Sequence, residues 1–270
     1  MVNEIQGVDS QEFEGYVVCH INEFSESLKE LIRDNLAVIC HGSHVCEYFD
    51  DPMYNYKSTI KSFLERYVRK TKNTQIGMIG ELLSHVLITS LYDEYDVASA
   101  FFNLEEKSIK KGFDLVLYNK NKSNVWITEV KSGNIHKNKN YDQTTTDLLG
   151  EASRDLNKRL NEQETQYWMN AINHVRSSLG AEKDYKDVLL KILREDYGRG
   201  AAQETATSKD KNIFLVTNLF ESLDIKISEN PAKHAFENVS KSGVFLDVVV
   251  LTIQKSTFDN VANFLEEELK

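Results

Sequence analysis

The spacing of apolar residues along the chain changes several times, and each change predicts an element. "GYVVCHINEF" (15–24) is an apolar, β-branched run of the kind strands favour. "SESLKELIRDNLAVICHG" (25–42) then switches to helical spacing at Leu28, Leu31, Ile32 and Leu36. "YKSTIKSFLERYVRKTKN" (56–73) sets Ile60, Phe63, Leu64, Tyr67 and Val68 on one side of a helix, with basic residues opposite. "TQIGMIGELLSHVLITSLY" (74–92) is a third helix, with Ile76, Ile79, Leu83 and Leu87 as its stripe. "GFDLVLYNK" and "SNVWITEVKSG" follow as an antiparallel strand pair joined by the polar turn "NKNKSN".

From about Thr146 a long helical stretch carries Leu149, Leu156 and Leu160, then Trp168, Ile172, Val175 and Leu179, and "VLLKILREDY" extends or restarts it. The small, polar segment "GRGAAQETATSKDKN" (198–212) reads as a mobile loop. "IFLVTNLF" and "VFLDVVVLTI" are apolar without alternation, as strands covered on both faces are, and "FDNVANFLEEELK" closes the chain as a helix. The expected organisation is an N-terminal region (1–72) of its own small α/β character, followed by an α/β domain (73–270).

The 41% hydrophobic content and only two prolines suit a sizeable core. No apolar run approaches the roughly 20 residues of a membrane helix, and the N-terminal stretch lacks the pattern of a signal peptide, so a cytoplasmic protein without membrane association is expected. Cys19, Cys40 and Cys46 are an odd count, and reduced thiols are the expectation. "CHGSHVC" (40–46) beside Cys19-His20 offers soft ligands, but its spacing matches no usual zinc pair, and small buried thiols are the simpler reading.

A net charge of -10 argues against a general polyanion binder. The distribution softens this. Between Lys107 and Lys139, eight lysines face only Asp114 and Glu129, and between Lys57 and Lys72 six basic residues face only Glu65. Lys110, Lys111 and Lys137 are therefore candidate nucleic-acid contacts, although solvated lysines on loops would look the same.

The strand "VWITEVKSG" places Glu129 and Lys131 on one face, because alternate side chains share a side. Alone, the pair is a surface ion pair. With Asp114 on the preceding strand and Glu81 on the helix before it, the set suits hydrolysis of a phosphodiester: carboxylates and the Val130 carbonyl to hold Mg²⁺ or Mn²⁺, and a lysine to orient water or stabilise charge. Carboxylates gathered at a core strand end would otherwise repel one another. Trp126 and Trp168 read as core residues, and His85 as a core or solvent-facing histidine.

The order Gly77-Met-Ile-Gly-Glu81, Gly112-Phe-Asp114 and Glu129-Val-Lys131 resembles the motif set of the PD-(D/E)XK nuclease superfamily. The resemblance implies a restriction-endonuclease-like core, a mixed central sheet flanked by helices, here with an N-terminal α/β extension. It also implies Asp114, Glu129, Val130 and Glu81 as metal-holding residues and Lys131 as the catalytic lysine. Arg154, Lys158 and Arg159 become candidate phosphate contacts on the helix bordering the active-site groove. A QxxxY element has a candidate in Gln163-Glu-Thr-Gln-Tyr167, farther past Lys131 than usual. Gly77 is expected to let its helix approach the sheet closely.

Over its whole length the chain further resembles HamA/AbpA-like proteins of Hachiman anti-phage defence, through "GxxGELL", "GFDLVL" and "WITEVKSG" in order. That resemblance implies a Mg²⁺-dependent DNA endonuclease working in a hetero-oligomer with a HamB-like helicase subunit. Two alternatives stay open: a non-catalytic DNA-binding or scaffold subunit, and a structure-specific junction resolvase.

Overall fold

The computed structural model describes residues 2–48, 51–102, 112–180 and 183–270. In chain order the strands are β1 (Val8–Phe13), β2 (Tyr16–Ile21), β3 (Tyr95–Val97), β4 (Leu115–Asn119), β5 (Asn124–Gly133), β6 (Asn212–Phe220) and β7 (Asp247–Lys255). The helices are α1 (Glu26–His41), α2 (Tyr56–Tyr67), α3 (Lys72–Leu91), α4 (Tyr141–Asn161), α5 (Gln166–Ser178), α6 (Lys186–Lys191), α7 (Arg199–Ala202), α8 (Asn230–Ser242) and α9 (Asp259–Glu267). Caps follow the sequence: Ser25, Asn55 and Thr71 each accept a hydrogen bond from the third residue of their helix, and Asn140 with Gln143 forms a reciprocal capping box.

The strands form a mixed seven-stranded sheet in the order β1-β2-β7-β6-β5-β4-β3. The parallel pairs β5–β6, β6–β7 and β2–β7 make its centre, and antiparallel pairs close both sides. Helices cover both faces, which is why β6 is buried along its whole length and shows no polar alternation. One core lies under α1, α2, α3 and α9, with Trp126, Phe214, Val216 and Leu251 pointing into it. The other lies under α4, α5, α6 and α8, with Ile127, Ile213, Leu215 and Val250.

The expected N-terminal extension joins the main body. β2 pairs with β7, and α1 and α2 bury Leu28, Ile32, Leu36, Ile60 and Phe63 in the same core as α3.

Besides β1 and β3, which the sequence reading did not foresee, three elements differ from it. The long helix from Thr146 starts earlier, at Tyr141, and breaks between Asn161 and Gln166 into α4 and α5. α8 had no counterpart in that reading, although two parallel strands must be joined by a crossover, and α8 is the one between β6 and β7. The segment expected to be a mobile loop opens with α7 and is then tied down: Ser208 Oγ donates to Val244 O at 2.7 Å, and Lys211 is 2% exposed over the Tyr197 ring.

Candidate active site

The β4–β5 hairpin ladder stops at Leu115 opposite Thr128, whereas β5 continues to Gly133 against β6 alone. Among the described residues, the outer edge of β5 beyond Thr128 thus has no strand partner. Asp114, one residue before β4, occupies this opening, and its Oδ2 accepts a 2.7 Å hydrogen bond from the Val130 N–H. A residue in a strand sends its N–H and C=O toward the same edge, so the Val130 carbonyl leaves on the Asp114 side.

Glu129 and Lys131 face α4, while Val130 packs into the opposite core. Glu129 is 2% exposed. Its Oε1 receives Arg159 Nη2 at 2.7 Å and lies 3.2 Å from Lys131 Nζ, while its Oε2 is buried with no hydrogen-bond partner among the described residues. Burial, reinforced by the neighbouring Asp114 carboxylate, pushes the Glu129 acid up to about 7 despite Arg159 and Lys131. Lys131 Nζ also lies 2.6 Å from Asp155 and 3.4 Å from Glu151. Burial disfavours its charge, but the Asp155 and Glu129 carboxylates outweigh that and hold the amine above the ordinary lysine range.

α4 delivers these partners by its period. Leu149, Ala152, Leu156 and Leu160 form the stripe that anchors the helix to the sheet. Glu151, Asp155 and Arg159, each four residues apart, form the adjacent stripe and meet the strand end. Arg159 also donates through Nη1 to Gly112 O at 3.0 Å. A cleft of about 760 Å³ opens over the site, lined by Gly112, Asp114, Glu129, Val130, Lys131, Arg159, Glu164, Gln166, Tyr167 and Asn170.

Asp114, Glu129, Val130 and Lys131 are thus brought together as expected. Glu81 is half-buried on α3, across the sheet from α4, and is not among the residues lining the cleft. The close approach of α3 belongs to Gly80, not Gly77. A Cβ on Gly80 would stand 1.9 Å from Ser132 Oγ, whereas one on Gly77 would meet nothing within 4 Å. Ser84 Oγ and Asn218 Nδ2 both donate to Gly80 O, sealing that contact. Gln163 lies in the break between α4 and α5, where it accepts from the Ala206 N–H at 3.0 Å, so of the two residues that define the expected QxxxY element only Tyr167 lines the cleft.

Arg154 and Lys158 are exposed on α4, and Lys137 is exposed in the loop before it. Lys110 and Lys111 lie outside the described residues. Arg159 is a site residue that sequence reasoning placed only among phosphate contacts; its four-residue spacing from Asp155 was the available signal. Trp126 and Trp168 are core residues, each 1% exposed, and His85 is also buried. Cys19 and Cys40 are buried free thiols, and the Cys46 side chain lies outside the described residues.

Among the described residues, no three His, Cys, Asp or Glu side chains converge as a ready-made metal cage. A hard cation nevertheless fits the donor set: two adjacent carboxylates, one with an orphaned buried oxygen, and a main-chain carbonyl. Mg²⁺ is commonly held by one or two carboxylates and completes its shell with water. No helix of the described residues is long and apolar enough to cross a membrane. The family model of HamA matches residues 3–269, and no curated protein matches the chain.

Proposed function

This chain belongs to the HamA family, a component of Hachiman anti-phage defence, and from that premise we propose that it is a Mg²⁺- or Mn²⁺-dependent DNA endonuclease. The observation that carries the reading is Glu129: a carboxylate buried beside Asp114 just past the end of the β4–β5 ladder, with one oxygen held by two cations and the other without a partner among the described residues.

Asp114, Glu129 and the Val130 carbonyl would hold the metal. Once bound, the cation supplies Lewis-acid polarisation of a phosphoryl oxygen and a more acidic water at neutral pH. Lys131, two residues along the same face, donates hydrogen bonds from a protonated amine and stabilises negative charge developing on the phosphate. The carboxylates of Asp155 and Glu151 hold that amine beside Glu129. The cleft offers polar groups from Gln166, Tyr167 and Asn170 along the substrate path.

The acidic balance of the chain, -10 overall, gives little general attraction for DNA. Delivery of the substrate by a HamB-like helicase subunit within a hetero-oligomer in the cytoplasm accounts for a nuclease that binds free DNA weakly.

The test incubates the purified chain with plasmid, alone and with a HamB-like helicase subunit, in Mg²⁺ or EDTA. Glu129→Gln and Lys131→Met are each expected to reduce metal-dependent nicking at least a hundredfold while leaving the fold intact. Unchanged cleavage by both variants would favour a scaffold role for this site.

A further inference from the structure

Arg159 touches the environments of both carboxylates at once. Its Nη2 holds Glu129 Oε1 at 2.7 Å, and its Nη1 holds the Gly112 carbonyl at 3.0 Å, two residues before Asp114. β4 and β5 are not paired to each other at this point, because their ladder ends at Leu115 and Thr128. The guanidinium therefore bridges the gap left by the missing ladder, fixing the turn that carries one carboxylate against the side chain of the other.

The same bond decides which Glu129 oxygen is available. With Oε1 taken by Arg159 and Lys131, Oε2 is left without a partner among the described residues. The planar fork sends its two terminal nitrogens in different directions, so each meets an acceptor on a separate segment, whereas a lysine amine, a single point, would need both acceptors drawn to one nitrogen. The side chain is 19% exposed, and its two terminal nitrogens each have a partner, which leaves it poorly placed to bind a phosphate directly. Its helix position is fixed by the Leu156 and Leu160 anchors on either side.

We propose that Arg159 is the positioning residue for the metal ligands: it sets the spacing of Asp114 and Glu129 and turns Glu129 Oε2 toward the cation. This rests on the metal-dependent reading above. Residues that orient ligands in this way typically contribute 10- to 100-fold to metal affinity.

The experiment titrates Mn²⁺ alone into the metal-free full-length chain by calorimetry, without DNA, for the wild type, Glu129→Ala, Arg159→Lys and Arg159→Met. Circular dichroism and thermal unfolding establish that each variant is folded; if Arg159→Met does not fold, Arg159→Lys, which keeps the charge, carries the test. Both Arg159 variants are expected to bind Mn²⁺ about tenfold or more weakly. Cleavage by Arg159→Lys should recover to within a few fold of wild type at saturating Mn²⁺, since the defect lies in metal affinity. Mn²⁺ affinity equal to or tighter than wild type overturns the assignment, and wild-type affinity with weakened DNA binding would make Arg159 a phosphate contact instead. Mn²⁺ binding that is equal in wild type and Glu129→Ala overturns the metal-dependent reading itself, and the role of Arg159 with it.

Discussion

Gly80 of α3 and Ser132 of β5 stand in such close apposition that a Cβ on Gly80 would lie 1.9 Å from Ser132 Oγ and 2.7 Å from Ser132 Cβ. Rotating the serine hydroxyl away would relieve only the first of these. Gly80→Ala is therefore expected to destabilise the protein by roughly 1–3 kcal/mol through overpacking. Adding Ser132→Gly should return part of that loss. Gly77→Ala, with open space around its Cβ, should instead stabilise by up to about 1 kcal/mol through helix propensity. Chemical denaturation of the three variants reads the difference, and equal effects of the two alanines would contradict the packing.

Lys131 is surrounded by Glu129, Glu151 and Asp155, so two α4 carboxylates compete with any phosphate for its amine. Asp155→Asn combined with Glu151→Gln should tighten binding of a fluorescent duplex by roughly two- to tenfold at low salt, an advantage that shrinks as salt screens it. Anisotropy titrations at two ionic strengths decide it. Weaker binding by the double variant would mean that holding the amine in place outweighs the competition for it.

Lys255 at the end of β7 is 2% exposed, donates to Thr257 O at 2.8 Å, and sits 5.2 Å from the Phe24 ring centroid. Burial lowers its amine to about 8. Because the folded value lies below the unfolded one near 10.4, the folded state binds fewer protons between those values, and stability rises with pH across that window. Below pH 8 the charged amine carries the whole cost, on the order of 3 kcal/mol before its hydrogen bond is credited. Lys255→Met should therefore be more stable than wild type at pH 7, with the difference shrinking toward pH 10. A difference that does not vary with pH would show that the lysine is not strained by its burial.

Gln163 ties the α4–α5 break to the backbone of Ala206. Gln163→Ala should change metal-dependent cleavage less than twofold, whereas Tyr167→Ala, in the cleft wall, should weaken DNA affinity. A large catalytic defect at Gln163 would restore it to the site.

The site was legible where its chemistry is local. Glu129 and Lys131 share a face by the two-residue period of a strand, and the hairpin turn brings Asp114 opposite, so short-range rules sufficed. Arg159, Asp155 and Glu151 were visible as residues of a helix, but their partners lie across the core, and nothing in the local pattern says which helix face meets which strand end. Gly77 was the glycine expected to admit the sheet, and packing gave that place to Gly80 one turn along.

What the sequence by itself determined is the alternation of apolar periods that makes the helices and buried strands, the caps that begin α1 to α4, and the ordered acids and lysine around one hairpin. Tertiary structure decided the rest: the joining of β1 and β2 to the same sheet, the crossover by α8, the break after α4, and the bridge of Arg159 between Gly112 and Glu129. The physical reason is separation along the chain. Propensity and periodicity act over a few residues, whereas these pairings join segments 30 to more than 200 residues apart, chosen by which faces bury together and which charges then find partners.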